Sequence, residues 1–339
     1  MFRLVKTRLS NTITRSCNIK VRWASTNKAT NTAYEEALKL IQTDKAERLE
    51  ILSTVEKELA RVAKEASPTQ KAQLAALNTL KYDLQVKSEL NDPQVRSNFD
   101  NNTNVDMSRP VYRYLAQRQF EKQPRSKLLE RITQMNVVPD VVDVDINPTV
   151  EIKIELPNEE LSSLVEPGVI INPEQTVTCP NVQVSNFHTD TRLYTMMLVD
   201  PDSPDVANQT YQQYCHWLIT NVPLSATEPT VQGGDAILNY IPPHPQKGTK
   251  THRYTWIAYE QGSAGQDQLN IITKMDQRHG FDAKAFAKEH GLTVRGITFF
   301  RQKWNESVSK IYSDILETKE PVYGKPPKPE RYIQRTMYI

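Results

Sequence analysis

The stretch LYTMMLVDPDSP, residues 193–204, constrains the fold of this chain more than any other. Met196 to Val199 form an apolar run with no polar break, which predicts a strand buried on both faces. Asp200-Pro201-Asp202-Ser203-Pro204 follows at once. Two prolines and two aspartates do not continue a central strand, so the chain is expected to turn there and expose carboxylates at a sheet end. Two later stretches each set a histidine at the mouth of a β-rich run: YCHWLITNVP with His216, and KGTKTHRYTWIAYEQ with His252. One carboxylate and two imidazoles at strand ends make a candidate site. The competing reading is a pair of buried, hydrogen-bonded core histidines.

The rest of the chain is less apolar than that stretch. Only 38% of the 339 residues are hydrophobic, which points to a polar helical or tail portion beside one domain. No apolar run approaches the ~20 residues of a membrane helix. Cys17, Cys179 and Cys215 lack CxxC spacing and read as free thiols in a reducing compartment. Met1 to Tyr34 contains no acid but carries Arg3, Lys6, Arg8, Arg15, Lys20, Arg22 and Lys28 among Ser, Thr and Asn. That composition is the signature of a mitochondrial presequence, assigned to residues 1–24; the alternative is a basic arm that binds RNA. Cutting before Ser25 removes six of the 42 basic residues, leaving 36 against 40 acids and a net charge of −4. A mildly acidic chain is not built to wrap nucleic acid wholesale, and no DNA partner is expected.

Residues 32–91 read as a helical hairpin arm. Thr32-Ala33-Tyr34-Glu35 forms a capping box, and Leu38, Ile41, Leu52, Val55, Leu59 and Val62 follow at spacings of three and four. Glu35 with Lys39 and Asp44 with Arg48 are charge pairs one turn apart. Ser67-Pro68-Thr69-Gln70 signals a second start, and Leu74, Leu77, Leu80 and Leu84 line one face until Asn91-Asp92-Pro93. The stripe is too narrow for a large core, so the arm either packs on something else or is a solvated coiled coil. Residues 92–136 read as an Asn-rich linker, Asn98 to Ser108, and short helices carrying Tyr112, Leu115, Phe120, Leu128, Leu129 and Ile132. Arg109, Arg113 and Arg118, interleaved with aromatics, are candidate RNA or protein contacts; an ordinary surface helix has the same pattern.

From Val137 the period changes to two. Val150, Ile152 and Ile154 alternate with Glu151 and Lys153, and short strands between Pro, Asn and Gly turns continue to about Glu260. That pattern predicts an antiparallel β-sandwich over residues 137–316, an α+β domain with flanking helices. Asp282 caps a helix stapled by Phe281 and Phe286 and stopped by Gly291. Leu292 to Phe300 is the last strand, and Val308, Ile311, Tyr312 and Ile315 share one face of a final helix. Residues 317–339 form a proline-rich tail with Lys325, Lys328, Arg331 and Arg335 between Tyr323, Tyr332 and Tyr338. This tail cannot form a core: it is either a disordered tail or a segment that orders on a large partner, and its aromatic and basic residues favour the second.

Gathered in one pocket, Asp200, His216, His252 and the Tyr254 hydroxyl suit a small anion: imidazole and phenol groups donate, and Asp200 orients one imidazole. Acyl-transfer chemistry is disfavoured because no GxSxG elbow occurs and Ser203 is held between prolines. HExxH and phosphate-loop motifs are absent too, so neither a metal nor a cofactor is expected.

The motifs DPDSP, YCHW and KGTKTHRY followed by WIAYEQ, in this order and spacing, resemble the phosphatidylethanolamine-binding protein family. The resemblance covers roughly Val137 to Leu316. It implies a β-sandwich with flanking helices and a small anion pocket that falls on Asp200, Pro204, His216, His252, Tyr254 and Tyr312. The sequence departs from the family pattern at three places. Asp205-Val206 stand where Ser-Arg is usual, placing an acid near the implied pocket rim. Ile241-Pro242-Pro243-His244-Pro245 replaces a glycine-rich loop, and Cys215 occupies a position often held by a second His. Each change disfavours an anion or narrows access, which marks the pocket as vestigial.

A free-standing member of that family needs only the sandwich. Presequence, arm and basic aromatic tail together resemble a family of mitochondrial large-subunit ribosomal proteins that contain this fold. That resemblance implies a non-enzymatic, structural role at the central protuberance in the mitochondrial matrix, with large-subunit rRNA and neighbouring ribosomal proteins as partners. The alternative is a soluble matrix module that binds a phospholipid headgroup or small anion, or one that regulates a kinase or protease.

Overall fold

The computed structural model describes residues 32–64, 70–157, 164–262, 265–271 and 277–324. The presequence, most of the Ser67–Gln70 start signal, Cys17 and the tail residues Lys325, Lys328, Arg331 and Arg335 lie outside the described residues.

Helix α1 (Thr32–Val62) packs antiparallel on α2 (Gln70–Glu89). The expected stripe faces inward, with Val55, Val62 and Leu84 buried and Leu38, Ile41, Leu52, Leu59, Leu74 and Leu77 half-buried; Leu80 departs from it and is exposed. Asp44 holds Arg48 at 2.8 Å within α1, and Glu56 reaches across to Lys81 at 2.9 Å. Asp92 and Pro93 do more than end α2. The Asp92 carboxylate accepts from the Gln94 amide and opens α3 (Pro93–Asp100), so Asn98 is helical and the linker is shorter than the composition suggests. Val95 of α3 meets Val111 and Tyr112 of α4 (Pro110–Lys122) in a small core of their own. Helix α5 (Pro124–Gln134) then sends Leu128 and Ile132 into the main domain.

Residues 137–142 do not begin the β pattern. Asn136, at φ 53°, leads into the short turn α6 (Val137–Asp140), and the first strand is β1 (Glu151–Glu155). There the expected alternation holds: Ile152 and Ile154 are buried, and β1 pairs antiparallel with β2 (Asn181–Ser185). The main sheet runs β5 (Asp235–Leu238), β4 (Thr210–Leu224), β3 (Arg192–Asp205), β6 (His252–Gln261) and β8 (Leu292–Gln302), all antiparallel, with β7 (His279–Phe281) added to β4.

Both faces of this sheet are covered, by different materials. The β1–β2 ribbon lies on Met196, Leu198, Trp256, Ala258 and Phe300. Helices α5, α6 and α7 (Ala283–Glu289) lie on Met197, Val199, Ile257, Tyr259 and Phe299. The ribbon comes so close that a Cβ on Gly296 would sit 2.7 Å from Val150 Cγ2, which is why β8 carries a glycine there. At the start of α7, Asp282 accepts from the Lys284 and Ala285 amides, and the Phe281 and Phe286 rings lie 5.6 Å apart, as the staple predicts. Helix α8 (Glu306–Asp314) buries Val308, Ile311 and Tyr312; Ile315 falls just past its end and is exposed. The result is an α+β domain, a phosphatidylethanolamine-binding protein-like sandwich preceded by an α-helical region.

The expected turn at Asp200 does not form. β3 continues through DPDSP to Asp205, paired only with β4, because β6 leaves the ladder at Val199. A register shift between Asp200 and Ser203 absorbs the prolines, which need no partner on the side β6 has vacated. The turn comes later, where Asp205 accepts from the Ala207 and Asn208 amides at the hairpin tip.

Candidate functional site

Where β6 parts from β3, the side chains of Asp200 and His252 face each other in a space almost closed to solvent. Asp200 is 2% exposed and His252 1%, so the carboxylate is buried rather than presented at a sheet end. Asp200 Oδ2 lies 2.7 Å from His252 Nδ1, and Asp200 Oδ1 accepts from the Asp202 amide at 2.8 Å. On the other side of the ring, His252 Nε2 is 2.7 Å from Thr249 Oγ1, whose own proton goes to the Gln246 carbonyl. Both ring nitrogens of His252 therefore donate, as in an imidazolium. The electrostatics agree. Burial opposes the charge on each group, but the partner's charge and hydrogen bond outweigh it: the Asp200 carboxyl ends below its usual value and His252 above. They form a buried ion pair.

His216 and His244 follow the opposite rule. His216, on β4, gives its Nδ1 hydrogen to the Ile241 carbonyl at 3.0 Å; His244, in the loop before β6, gives its own to the Pro242 carbonyl at 2.7 Å. Burial, then the neighbouring His244, pushes His216 down to about 3, and burial pushes His244 down to about 4. Both are neutral at pH 7, and a neutral ring that donates from Nδ1 offers only a lone pair at Nε2. From these two rings an incoming anion would meet acceptors instead of donors; the buried Tyr254 hydroxyl, which has no hydrogen-bond partner, is the donor beside them.

His244 also takes up the space an anion would need. Its ring centroid lies 4.9 Å from His216, 5.2 Å from Tyr214 and 5.3 Å from Tyr312, at 65°, 86° and 85° between planes. Tyr254, fully buried, lies 5.2 Å from His216 on the other side. These edge-to-face contacts fill the hollow with rings. A shallow depression of about 190 Å³, lined by Asp202, Tyr211, Thr249, Lys250, Thr251 and His252, remains on the outer side of the ion pair.

Of the six residues implied as the pocket, the fold thus gathers Asp200, His216, His252, Tyr254 and Tyr312. Pro204 lies beyond them, paired with Tyr211 along the β3–β4 ribbon. Asp205 is no rim residue, since it caps the hairpin tip. The Ser203 hydroxyl is buried with no hydrogen-bond partner and has no base beside it that would make it a nucleophile. Cys215, behind His216, is buried and its thiol is pushed up to about 12. Sequence reasoning assigned no role to Asp202 and Arg253, which clamp the site from outside. Asp202 takes two side-chain hydrogen bonds from Arg253, at 2.8 and 2.7 Å. The same guanidinium reaches the Met135 and Asn136 carbonyls and Asp140, each at 2.8 Å. The Arg following the histidine in THRY was the available signal. His244 had one too, an imidazole fixed between prolines where the chain has little freedom to point it elsewhere.

The basic candidates divide as well. Arg113 is 4% exposed and donates to the Met107 and Ser108 carbonyls at 2.8 and 2.6 Å, so it holds the α4 start and is not a contact residue. Arg109 pairs with Glu89 at 2.8 Å and leans over Tyr112. Arg118 is exposed on α4, resting on the Tyr114 ring. Among the described residues no cluster of His, Cys, Asp or Glu could hold a metal, and no helix is long and apolar enough to cross a membrane.

Residues 157–300 match the family "phosphatidylethanolamine-binding protein". The chain is similar to large ribosomal subunit protein mL38 of Schizosaccharomyces pombe, 28% identical over 231 residues that cover 68% of this chain and 73% of that protein. It is 26% identical over 180 residues to protein MOTHER of FT and TFL1 homolog 2 of Oryza sativa, covering 52% of this chain and 95% of the other. Among solved structures, a phosphatidylethanolamine-binding protein from Plasmodium vivax aligns with 20% identity over 52% of this chain and 97% of its own, at a TM-score of 0.41.

Proposed function

We propose that this chain, a phosphatidylethanolamine-binding protein-like sandwich carried behind a helical arm, is a structural component of the mitochondrial large ribosomal subunit. On this reading it resides in the mitochondrial matrix, at the central protuberance, and supports mitochondrial translation by holding rRNA and neighbouring ribosomal proteins through its extensions. Residues 1–24 are the targeting segment, 32–91 the arm, 92–136 its connection, 137–316 the block and 317–339 the tail. The observation that carries the reading is the likeness to the yeast ribosomal protein, which spans 231 residues and so runs well past the 157–300 domain match. The site supports it. A hollow filled by the chain's own His244 and facing inward with imidazole lone pairs suits an architectural block better than an anion receptor. Arg109, exposed Arg118 and the tail residues Lys325, Lys328, Arg331 and Arg335 are the contact candidates.

Sedimentation of a mitochondrial lysate in magnesium and then in EDTA tests this. The chain is expected to travel with the large subunit in both conditions. Removal of residues 32–91 or 320–339 is expected to lower its incorporation, whereas His216→Ala leaves incorporation of the folded protein unchanged. A chain that stays at the top of both gradients would overturn the assignment and return attention to the anion-module reading.

A further inference from the structure

The loop that carries His244 is gripped from outside by the chain segment that follows α8. After that helix the Thr318 amide bonds the Tyr312 carbonyl at 3.0 Å, and Glu317 adopts φ 50°, so the chain doubles back. Glu320 then accepts from the Trp304 indole and, at 2.7 Å, from the Ser309 hydroxyl. Val322 forms a parallel bridge with Lys247, and the Tyr323 amide donates to the Lys247 carbonyl at 2.8 Å. The Lys247 ammonium lies 4.5 Å from the centre of the Trp304 ring, closing the circuit. Contact is so close at Gly248, φ 89°, that an added Cβ would fall 1.8 Å from the Tyr323 carbonyl oxygen. From inside, the same loop is tied by the Ile241 amide to the His216 carbonyl at 2.9 Å and by Thr249 to His252.

We propose that residues 317–324 are a latch that keeps the loop 241–249 shut, with His244 as the built-in occupant of the ring-lined hollow beside Asp200 and His252. Two sets of contacts with different origins converge on one loop. Inner ties alone would leave the loop hinged on residues 246–249. The strap adds a strand-like bridge and a carboxylate, Glu320, anchored to Trp304 and to the helix that also supplies Tyr312, the ring against His244; Lys247 of the loop rests on the same Trp304 ring. Loop and strap are therefore one mechanical unit, and a pull that lifts 320–324 away would free His244 and open the hollow. The inference concerns the closure of the site and stands whether or not the chain is ribosomal.

Diethyl pyrocarbonate, a small electrophile that acylates neutral imidazoles, reports the closure in the full-length protein when labelling is mapped by mass spectrometry. In the unmodified chain His244 and His216 are expected to label at least tenfold more slowly than exposed His279. Tyr323→Pro deletes the amide that bonds Lys247, and Glu320→Gln weakens the anchor to Trp304 and Ser309. Each is expected to raise labelling of His244 and His216 severalfold, and to speed hydrogen exchange across 241–249, while labelling of His279 and the melting temperature of the sheet stay unchanged. His244→Ala is the internal control: it should expose His216 without disturbing the strap. Unchanged labelling and exchange in both latch variants would overturn the latch. Saturable binding of inorganic phosphate to the unmodified chain, read as shifts of the His216 ring resonances, would overturn the self-occupied hollow.

Discussion

The hairpin arm and the six-stranded sheet bury their side chains to very different degrees. α1 has 31 residues, of which only Val55 and Val62 are buried, while Leu40 is 71% exposed and Ile51 51%. β6 is ten residues long and all but Arg253 are buried. A sheet covered by a β ribbon on one face and helices on the other has its partners within the chain. The two-helix arm has fewer: its inner stripe is spent on the other helix, α2 also touches α4, and Leu40 and Ile51 are left uncovered by the described residues. Among the described residues the sandwich thus covers its own apolar faces, whereas the arm leaves apolar side chains uncovered.

The comparison breaks most sharply at the ion pair. Asp200→Asn leaves the His252 charge buried without its counter-charge and should cost the sandwich about 3–5 kcal/mol, with no loss of helicity in the arm. Separate melting of the two regions by hydrogen exchange would check this; a loss shared equally between them would argue against an independent sandwich. Acid acts next. His216 and His244 are held below the ordinary value near 6.5, so between pH 6.5 and about 4 the unfolded chain binds protons that the folded chain refuses. Stability therefore falls as pH falls, by about 2 kcal/mol per imidazole at pH 5, while the Asp200–His252 pair stays charged throughout that window. Chemical denaturation at pH 7 and 5 measures the loss, and His244→Phe should halve it.

Smaller effects sharpen the boundary between the regions. Arg253→Lys keeps the charge but gives up the fork that joins Asp202 to Asp140 and to the carbonyls at the end of α5. It should cost about 1.5–3 kcal/mol and speed exchange around residues 135–140 more than within the sheet. Leu40→Gln with Ile51→Gln should change the stability of the isolated chain by less than about 0.5 kcal/mol. Recovery of that variant in large ribosomal particles should nevertheless fall. Undiminished recovery would mean that the exposed face of α1 covers nothing.

The parts of this molecule legible in its sequence are those governed by period and by local chemistry. The hairpin, the Asp282 cap with its phenylalanine staple, and the alternation in β1 follow from spacing alone. The motif order DPDSP, YCHW, THRY sufficed for the sandwich, and five of the six residues it implied for a pocket lie together in the fold. What failed did so through tertiary context. The prolines of DPDSP forbid a central strand, but β6 has already left when they arrive, and no local rule says so. Arg113 has the composition of a contact residue, yet nearby carbonyls claim it. The exposed rim expected of Asp200 became an interior because the loop 241–249 folds over it, and only the packed rings of Tyr214, Tyr312 and His244 reveal that.

Arg253 has one more consequence, in time instead of space. It fastens the Met135 carbonyl from a position 118 residues further along the chain. During synthesis the arm and α3 to α5 emerge and can coil long before the residue that moors their end to the sheet exists. These helices are made before the residue that fixes their end against the sheet.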